Sequence, residues 1–375
     1  MIKVINVLPA SEAADERHND QPSLAVNPKN GNELVVTTNA PRPKTDTAGP
    51  LYHSVDGGLT WTVRPVVPAI AYLPGTDADG HTSDINSAFS PDGQQLYLTV
   101  ETVAEVTSYH RVNHLAQNEP AQVLEKAVSG NVPNIAAAPG PEGKTRVYVG
   151  TNDFSETPKP KANRRTATLD VCLDAGAPVP PAFQRILIEA RPTFSANQDG
   201  PWVAVAAHAD GTVYAAFYGW RQKFAPGAFV ATTDIVVVRD DNGAAGPNAC
   251  QDLKDPSDGL AGRLVEKGVK LEFYKALGPK PVTGDLVLAI DPKNSSSVWL
   301  AYGISSQGTY LLRVRHSSDR GQTWSPELFE VPNAINAALA VNDEGKVAFG
   351  YQQLNSGGTP RWETRVELTK DAFAH

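Results

Sequence analysis

The chain of 375 residues has only two cysteines, Cys172 and Cys250. They are too few for a disulfide framework, and too few by themselves for a structural zinc site. Two separate thiols are the favoured expectation, and a single disulfide is the alternative. No apolar run approaches the length that crosses a bilayer, so membrane insertion is not expected.

The N-terminus also lacks a recognisable secretory signal. Residues 1–9 contain one lysine and no long apolar stretch. Two interpretations stay open: either the chain is cytoplasmic, or an export signal has been removed.

Positive charge and helical periodicity are scarce as well. The formal net charge of −8 argues against a nucleic-acid surface. Only residues 121–128 give a faint helical pattern. Valine-rich runs of strand length instead recur between Gly, Pro, Asn and Asp clusters, and the chain has 30 Gly and 30 Pro. This composition predicts an all-β fold.

A longer unit recurs along the sequence, which is the mark of a repeat-built fold. Each copy begins near an Asp or Asn, continues into an apolar strand rich in small residues, and returns through a turn into a second strand. The second strands are predicted at residues 33–38, 95–100, 146–151, 212–218, 297–303 and 346–352. The six anchor residues are Asp20, Asp84, Asn134, Asp199, Asp285 and Asn336.

Two octapeptides share the pattern S-x-D-x-G-x-T-W and predict tight turns between strands. In such a turn the Asp accepts hydrogen bonds from turn amides, and the Gly adopts a positive φ. The matched positions are Ser54, Asp56, Gly58, Thr60 and Trp61 in the first copy, and Ser317, Asp319, Gly321, Thr323 and Trp324 in the second.

These two turns resemble the Asp-box, or BNR repeat, of sialidase-type β-propellers. The resemblance implies a six-bladed propeller with four antiparallel strands per blade, in which the Asp-boxes lie on the face opposite the ligand site. It also implies a secreted or cell-surface protein. One domain spanning 1–375 is expected, with blades at about 20–70, 84–130, 134–190, 199–275, 285–332 and 336–375 plus 1–9.

The last unit is too short for four strands, whereas residues 3–8 read as a strand without a partner. We therefore expect this N-terminal strand to complete the last blade and close the ring, which removes an unpaired sheet edge.

Two groups of residues are candidates for a site on the face opposite the Asp-boxes. The first is the ring of six anchors near the propeller axis. Capping of strand amides by these side chains is favoured, with Ca²⁺ as the alternative, because calcium prefers oxygen ligands. No other cofactor is expected. The second group is aromatic, basic and acidic, and suits a glycan or protein ligand. Its members are Arg17, His18, Tyr72, His81, Glu101, Asp153, Tyr218, Trp220, Arg221 and Arg361.

The catalytic signature of sialidases is not recognisable. The early Arg-Ile-Pro motif of the arginine triad is absent, and Arg17 lies in an unrelated context. Three functions therefore stay open: a non-catalytic propeller that binds a glycan or protein, a sialidase-like glycoside hydrolase that uses carboxylates on the same face, and a structural module of a phage-tail or secretion-particle assembly.

Overall fold

The computed structural model describes residues 7, 20–39, 49–67, 82–102, 106–117, 119–152, 167–193, 203–222, 230–272, 275–278, 280–282, 284–355, 357 and 359–369. These residues form strands β1 to β25 and two short 3-10 helices, Leu115–Gln117 and Pro141–Gly143. The prediction of an all-β protein is correct. Within these ranges, no helix has the length and apolarity needed to cross a bilayer.

The first three sheets each contain four antiparallel strands in sequence order. Sheet 1 consists of β1 (Asp20–Asn27), β2 (Asn30–Asn39), β3 (Gly49–Ser54) and β4 (Thr62–Val67). Sheet 2 consists of β5 (Thr82–Phe89), β6 (Gln95–Thr102), β7 (Val106–Asn113) and β8 (Gln122–Ser129). Sheet 3 consists of β9 (Asn131–Pro139), β10 (Thr145–Asn152), β11 (Ala167–Cys172) and β12 (Gln184–Leu187).

An eight-stranded sheet follows, made of two four-stranded groups that join at one residue pair, Lys270 with Ser305. The first group is β13 (Ala204–Ala207), β14 (Val213–Trp220), β15 (Val230–Asp240) and β16 (Arg263–Glu272). The second group is β19 (Leu286–Asp291), β20 (Asn294–Ser306), β21 (Thr309–Ser317) and β22 (Phe329–Pro332). A small hairpin, β17 (Ala276–Leu277) and β18 (Lys280–Pro281), lies between them in sequence.

The last sheet has three strands within the described residues: β23 (Ala334–Val341), β24 (Val347–Asn355) and β25 (Arg361–Thr369). The predicted N-terminal strand at residues 3–8 lies outside the described residues apart from Val7. The closure of the ring by this strand therefore stays a prediction.

The second strands lie where the sequence predicts them, because short turns fix the register of each hairpin. In the last sheet, Asn342 Oδ1 accepts hydrogen bonds from the amides of Glu344 and Lys346, and Gly345 has φ 71°. The segment with the faint helical pattern, residues 121–128, lies almost entirely in strand β8. Their pairing with β7 decides the structure of this segment, which has only a weak helical pattern.

The chain divides into two compact units, residues 1–149 with 170–184, and residues 150–169 with 185–375. In the first unit, β5 packs against both β1 and β9, and Val35, Ile85, Tyr97 and Val149 are fully buried. In the second unit, β19 packs against both β13 and β23 over a separate core. Within each unit the first strands of successive sheets therefore face one another, as in neighbouring blades of a propeller.

Candidate functional site

Many of the predicted site residues lie outside the described residues. They are Arg17, His18, Tyr72, His81, Asp153 and the anchor Asp199. The anchor Asp20 is the first residue of β1, and Asp84 is a buried residue of β5.

Glu101, at the end of β6, is a buried carboxylate that joins two sheets of the first unit. Its side chain is 3% exposed, and Oε2 accepts a hydrogen bond of 2.8 Å from the amide of Val132 in β9. Val132 has φ 51°, so the first strand of sheet 3 turns its amide toward this carboxylate. Glu101 therefore satisfies a backbone donor.

The anchor Asp285 has the same function in the second unit. Oδ1 accepts a hydrogen bond of 2.9 Å from the amide of Ala337 in β23, and Oδ2 accepts one of 2.9 Å from the Tyr310 hydroxyl. Burial raises the pKa of Asp285 to about 6, although the Ala337 amide and the Tyr310 hydroxyl oppose this shift. The carboxylate caps the neighbouring sheet, which is the expectation favoured over calcium.

The anchors are not equivalent, which corrects the predicted ring. Asp285 is 3% exposed, whereas Asn336 is exposed, has φ 59° and donates a hydrogen bond of 2.7 Å to Gln352 in its own sheet. A register shift between Ile335 and Ala338 inserts one extra residue into β23 at the anchor position, and β5 has the same kind of shift around Asp84. Asn134 lies within β9 and is partly buried.

Both oxygens of the anchor Asp285 accept hydrogen bonds from protein donors, and a calcium ion at the ring stays an untested alternative. Among the residues that the structure describes, no group of three or more His, Cys, Asp or Glu side chains could hold a metal ion.

Tyr218 and Trp220, both in β14, are internal. Tyr218 Oη is fully buried, lies 2.8 Å from the carbonyl oxygen of Asp285 and 2.6 Å from that of Gly303, and accepts a hydrogen bond from the Gly303 amide. Burial raises the pKa of Tyr218 well above its usual value. Trp220 is 3% exposed. Both side chains therefore belong to the interior of the second unit, which corrects their assignment to a ligand-binding surface.

Arg221, directly after β14, is the predicted ligand-binding residue with the most informative surroundings. Its Nη1 donates a hydrogen bond of 2.9 Å to Glu189 Oε2, and its Nε donates one of 2.6 Å to Asp234 Oδ2. Nη1 also lies 3.2 Å from the carbonyl oxygen of Pro192. The third nitrogen, Nη2, is buried and has no hydrogen-bond partner among the residues that the structure describes.

Both carboxylates around Arg221 are fixed by the backbone. Glu189 Oε1 accepts a hydrogen bond of 2.8 Å from the Arg191 amide, and Asp234 Oδ1 accepts one of 2.9 Å from the Gly268 amide. Burial raises the pKa of Glu189, and its attraction to Arg221 only partly offsets this shift. Gly268 has φ 64° at a bulge of β16, which aims its amide at Asp234.

Gly219 makes room for the guanidinium group. A Cβ at this position would lie 2.2 Å from Arg221 Nη2 and 2.7 Å from Glu189 Oε2. We call Glu189, Gly219, Arg221 and Asp234 the Arg221 site. Sequence reasoning singled out Arg221 but missed Glu189 and Asp234, because one follows an edge strand and the other lies inside β15, where no local motif marks them.

Arg361, in β25, has separate surroundings. Its guanidinium lies 2.8 Å from Glu363, a residue that also pairs with Arg365. Nine described arginines of the second unit have a carboxylate partner, at positions 191, 221, 239, 263, 313, 315, 320, 361 and 365. A triad of uncompensated arginines is therefore not present among the described residues of this unit.

The two S-x-D-x-G-x-T-W turns have the same geometry. In the first, Ser54 Oγ donates to Asp56 Oδ1 (2.8 Å), and Asp56 accepts from the Thr60 amide (2.9 Å) and hydroxyl (2.6 Å). The second repeats these bonds through Ser317, Asp319 and Thr323 at 2.8, 2.9 and 2.6 Å. Gly58 and Gly321 have φ 84° and 80°. Each segment connects two adjacent strands, as predicted.

No protein-family model matches the chain, and no curated protein matches it. Several solved structures are similar at low sequence identity. An α-L-arabinofuranosidase, Arb93A of Fusarium graminearum, is 10% identical with a TM-score of 0.48, over 96% of this chain and 95% of that chain. AofleA of Arthrobotrys oligospora is 8% identical with a TM-score of 0.45, over 95% and 88%. A polysaccharide lyase of family PL25, an ulvan lyase, is 9% identical with a TM-score of 0.47, over 92% and 78%.

Proposed function

We propose that this protein is a non-catalytic, six-bladed, sialidase-like propeller that binds a glycan at the Arg221 site. The observation that carries the proposal is the unpartnered Nη2 of Arg221, on a guanidinium whose Nε and Nη1 are held by two carboxylates. A buried donor without a partner is costly, so a hydroxyl oxygen that reached it would gain a hydrogen bond.

The charges of the site favour a neutral sugar. Glu189, Asp234 and Arg221 together have a net charge of −1, because two carboxylates flank one guanidinium. An anionic ligand would be repelled by the uncompensated carboxylate, whereas a sugar hydroxyl can accept from Arg221 and donate to a carboxylate oxygen. The neutral-glycan interpretation therefore departs from a sialidase, whose arginine triad binds a carboxylate.

The hydrogen bonds of Glu189 and Asp234 favour binding over hydrolysis. Glycoside hydrolysis needs one carboxylic acid that donates a proton and a second carboxylate that acts as base or nucleophile. All four oxygens of this pair accept hydrogen bonds from Arg221 or from backbone amides. Such bonds hold both groups in place as supports for Arg221.

The four-stranded groups of the described chain support six blades. Five groups of four strands and one of three follow one another in sequence. In this arrangement the S-x-D-x-G-x-T-W turns connect third and fourth strands, and the Arg221 site follows a second strand. Within the second unit, the turn at residues 317–324 and the Arg221 site therefore belong to opposite faces of the proposed blades, with the turn in a structural role.

A glycan array that carries matched neutral and acidic oligosaccharides tests the function. We expect binding to neutral glycans and no release of product from fluorogenic glycosides. Arg221→Ala should weaken binding about 10- to 100-fold, the effect of one hydrogen bond from a charged donor. Arg365→Ala, which removes a partly exposed arginine paired with Glu363, is the matched control. Turnover of a glycoside, or undiminished binding by folded Arg221→Ala, would contradict the proposal.

Loss of Arg221 alone leaves the buried Glu189 without its cation, which is destabilising. The double variant Glu189→Gln/Arg221→Ala removes both charges, so a loss of glycan binding in this variant does not come from a buried unpaired carboxylate. Melting temperatures of all variants show whether the folded protein is being compared.

A further inference from the structure

A cavity of about 290 Å³ lies in the second unit, between the segment that follows β12 and the long connection from β15 to β16. Its walls include Leu187, Ile188, Ala249, Cys250 and Leu260. One water molecule occupies roughly 30 Å³ in the liquid, so the cavity has room for about ten groups of that size. This volume suits a small molecule with an apolar body.

The wall contributed by residues 241–262 is rigid although it contains no named strand. Asp240 accepts hydrogen bonds from the amides of Asn242, Ala244 and Cys250. Arg191 forms a two-pronged ion pair with Asp258 at 2.8 and 2.9 Å. A connection of this length without regular structure is often functional, and its fixed backbone means that the cavity does not have to form on binding.

The mouth of the cavity is apolar and has a cation beside it. Leu187 and Leu260 are 42% and 41% exposed, so apolar surface lies at the edge of the cavity. Lys254 also lines the cavity, is exposed, and forms no ion pair with a described residue. Its alkyl chain can extend along the apolar rim while the ammonium group stays in water.

The carboxylates of the surrounding wall already have partners. Asp258 pairs with Arg191, Glu189 pairs with Arg221, and Asp255 lies 3.7 Å from Arg263 and accepts a hydrogen bond from the Leu264 amide. Of the two charged residues that line the cavity, Glu189 pairs with Arg221, whereas Lys254 forms no ion pair with a described residue. The positive charge of Lys254 favours a ligand with a negative end.

We propose that this cavity binds a small aliphatic carboxylate, with the hydrocarbon chain among Leu187, Ile188 and Leu260 and the carboxylate at Lys254. The cavity adjoins the Arg221 site, because Glu189 contributes to both, but its proposed ligand contacts Leu187, Leu260 and Lys254, which are not part of the Arg221 site. Cys250 lies in the wall with its thiol buried, so occupancy of the cavity should shield it.

The test measures alkylation of Cys250 by N-ethylmaleimide in the full chain, with hexanoate as the probe. Peptide mass spectrometry quantifies Cys250 and Cys172 separately, and Cys172, buried in the first unit, reports general opening of the protein. We expect hexanoate to slow alkylation of Cys250 several-fold and to leave Cys172 unchanged. Hexanol, which lacks the charge, should protect less.

Two variants assign the protection to the cavity. Lys254→Met should weaken the apparent affinity for hexanoate about two- to fivefold, the effect of one exposed ion pair, and should abolish the preference over hexanol. Leu260→Ala should weaken protection by both compounds. Lys144→Met and Leu59→Ala are matched exposed controls in the first unit. No protection by hexanoate, equal protection by hexanol, or an unchanged response of Lys254→Met would overturn the proposal.

Discussion

Buried carboxylates join successive sheets at the level of single residues. Glu101 accepts a hydrogen bond from the Val132 amide, and Asp285 accepts one from the Ala337 amide. In each unit, a carboxylate of one sheet therefore satisfies a backbone donor in the first strand of the next sheet. The receiving segments contain residues with positive φ, Val132 and Asn336, which aim amides away from their own sheet. Glu101 and Asp285 thus stabilise the packing of one sheet against the next.

Asp285 predicts an unusual pH dependence of stability. Its folded pKa is raised to about 6 from 3.8, so the folded protein binds the proton more tightly than the unfolded chain. The contribution of Asp285 to the free energy of unfolding is therefore fully present below about pH 4. It is lost as the pH rises through about 6, and the total loss is about 3 kcal/mol. In urea unfolding across this range, Asp285→Asn should lack this decline, because the amide never ionises.

The control for this experiment is Asp343→Asn, which replaces an exposed carboxylate in a turn of the last sheet. It should keep the pH profile of the wild-type protein. A wild-type profile that does not differ from that of Asp285→Asn would contradict the raised pKa.

Gly219 predicts a second effect at the residue scale. The methyl group of Gly219→Ala would lie 2.2 Å from Arg221 Nη2, and that guanidinium cannot move without leaving Glu189 or Asp234. We expect glycan binding to fall together with the melting temperature. Gly31→Ala is the matched control, since its Cβ would meet no atom within 4 Å. Normal glycan binding by Gly219→Ala would show that Arg221 does not contribute to ligand recognition.

Only part of this site could be predicted from the sequence. Arg221 lies just after the strand predicted at residues 212–218 and before a loop, so the sequence predicts its position near a strand end. Glu189 and Asp234 are 32 and 13 residues from it in sequence, and their approach depends on how two sheets pack. Trp220 lies beyond the strand predicted at residues 212–218, yet β14 continues to residue 220 and buries both Tyr218 and Trp220.

At the scale of elements, the two S-x-D-x-G-x-T-W turns differ in one respect. Gly57 occupies the position at which the second turn has Arg320, and both have positive φ. Arg320 donates to Thr212 at 2.9 Å and pairs with Asp241 at 2.6 Å, so the second turn is tied to neighbouring strands. The pattern predicted the geometry of both turns, but not this additional attachment.

Asp319→Ala should therefore destabilise the protein more than Asp56→Ala. Removal of Asp319 leaves the Thr323 amide and hydroxyl without their acceptor and loosens the segment that holds Arg320, at a cost of roughly 1–3 kcal/mol. Asp56→Ala should lower the melting temperature less. Binding of glycan by the folded fraction should stay unchanged in both variants, and a selective loss of binding without a change in melting would contradict the structural role.

Strand positions were more predictable than strand partners. Alternating apolar residues and turn chemistry located every second strand, because these signals are local. The ordered connection of residues 241–262 has no such signal. Its order depends on Asp240, Asp255 and Arg191, which bind backbone groups up to 71 residues away in sequence.

At the scale of the whole molecule, the last sheet has only three strands within the described residues. Its outer described strand, β25, leaves Val366 and Leu368 49% and 72% exposed. A long edge with exposed apolar side chains promotes association between molecules. Residues 3–8 are apolar enough to supply a fourth strand, and such pairing of the two ends of the chain would close a propeller.

Deletion of residues 1–9 should then lower the melting temperature and promote aggregation, because β25 would lose its neighbour. Removal of residues 370–375 is the matched control, since it shortens the opposite end without affecting the proposed strand. Static light scattering against protein concentration measures the association, and Val366→Lys/Leu368→Lys in the shortened chain should restore solubility by charging the exposed edge. A deletion variant that melts and scatters like the full chain would show that residues 3–8 do not complete the last sheet, and the closed six-bladed ring would then need another source for its final strand.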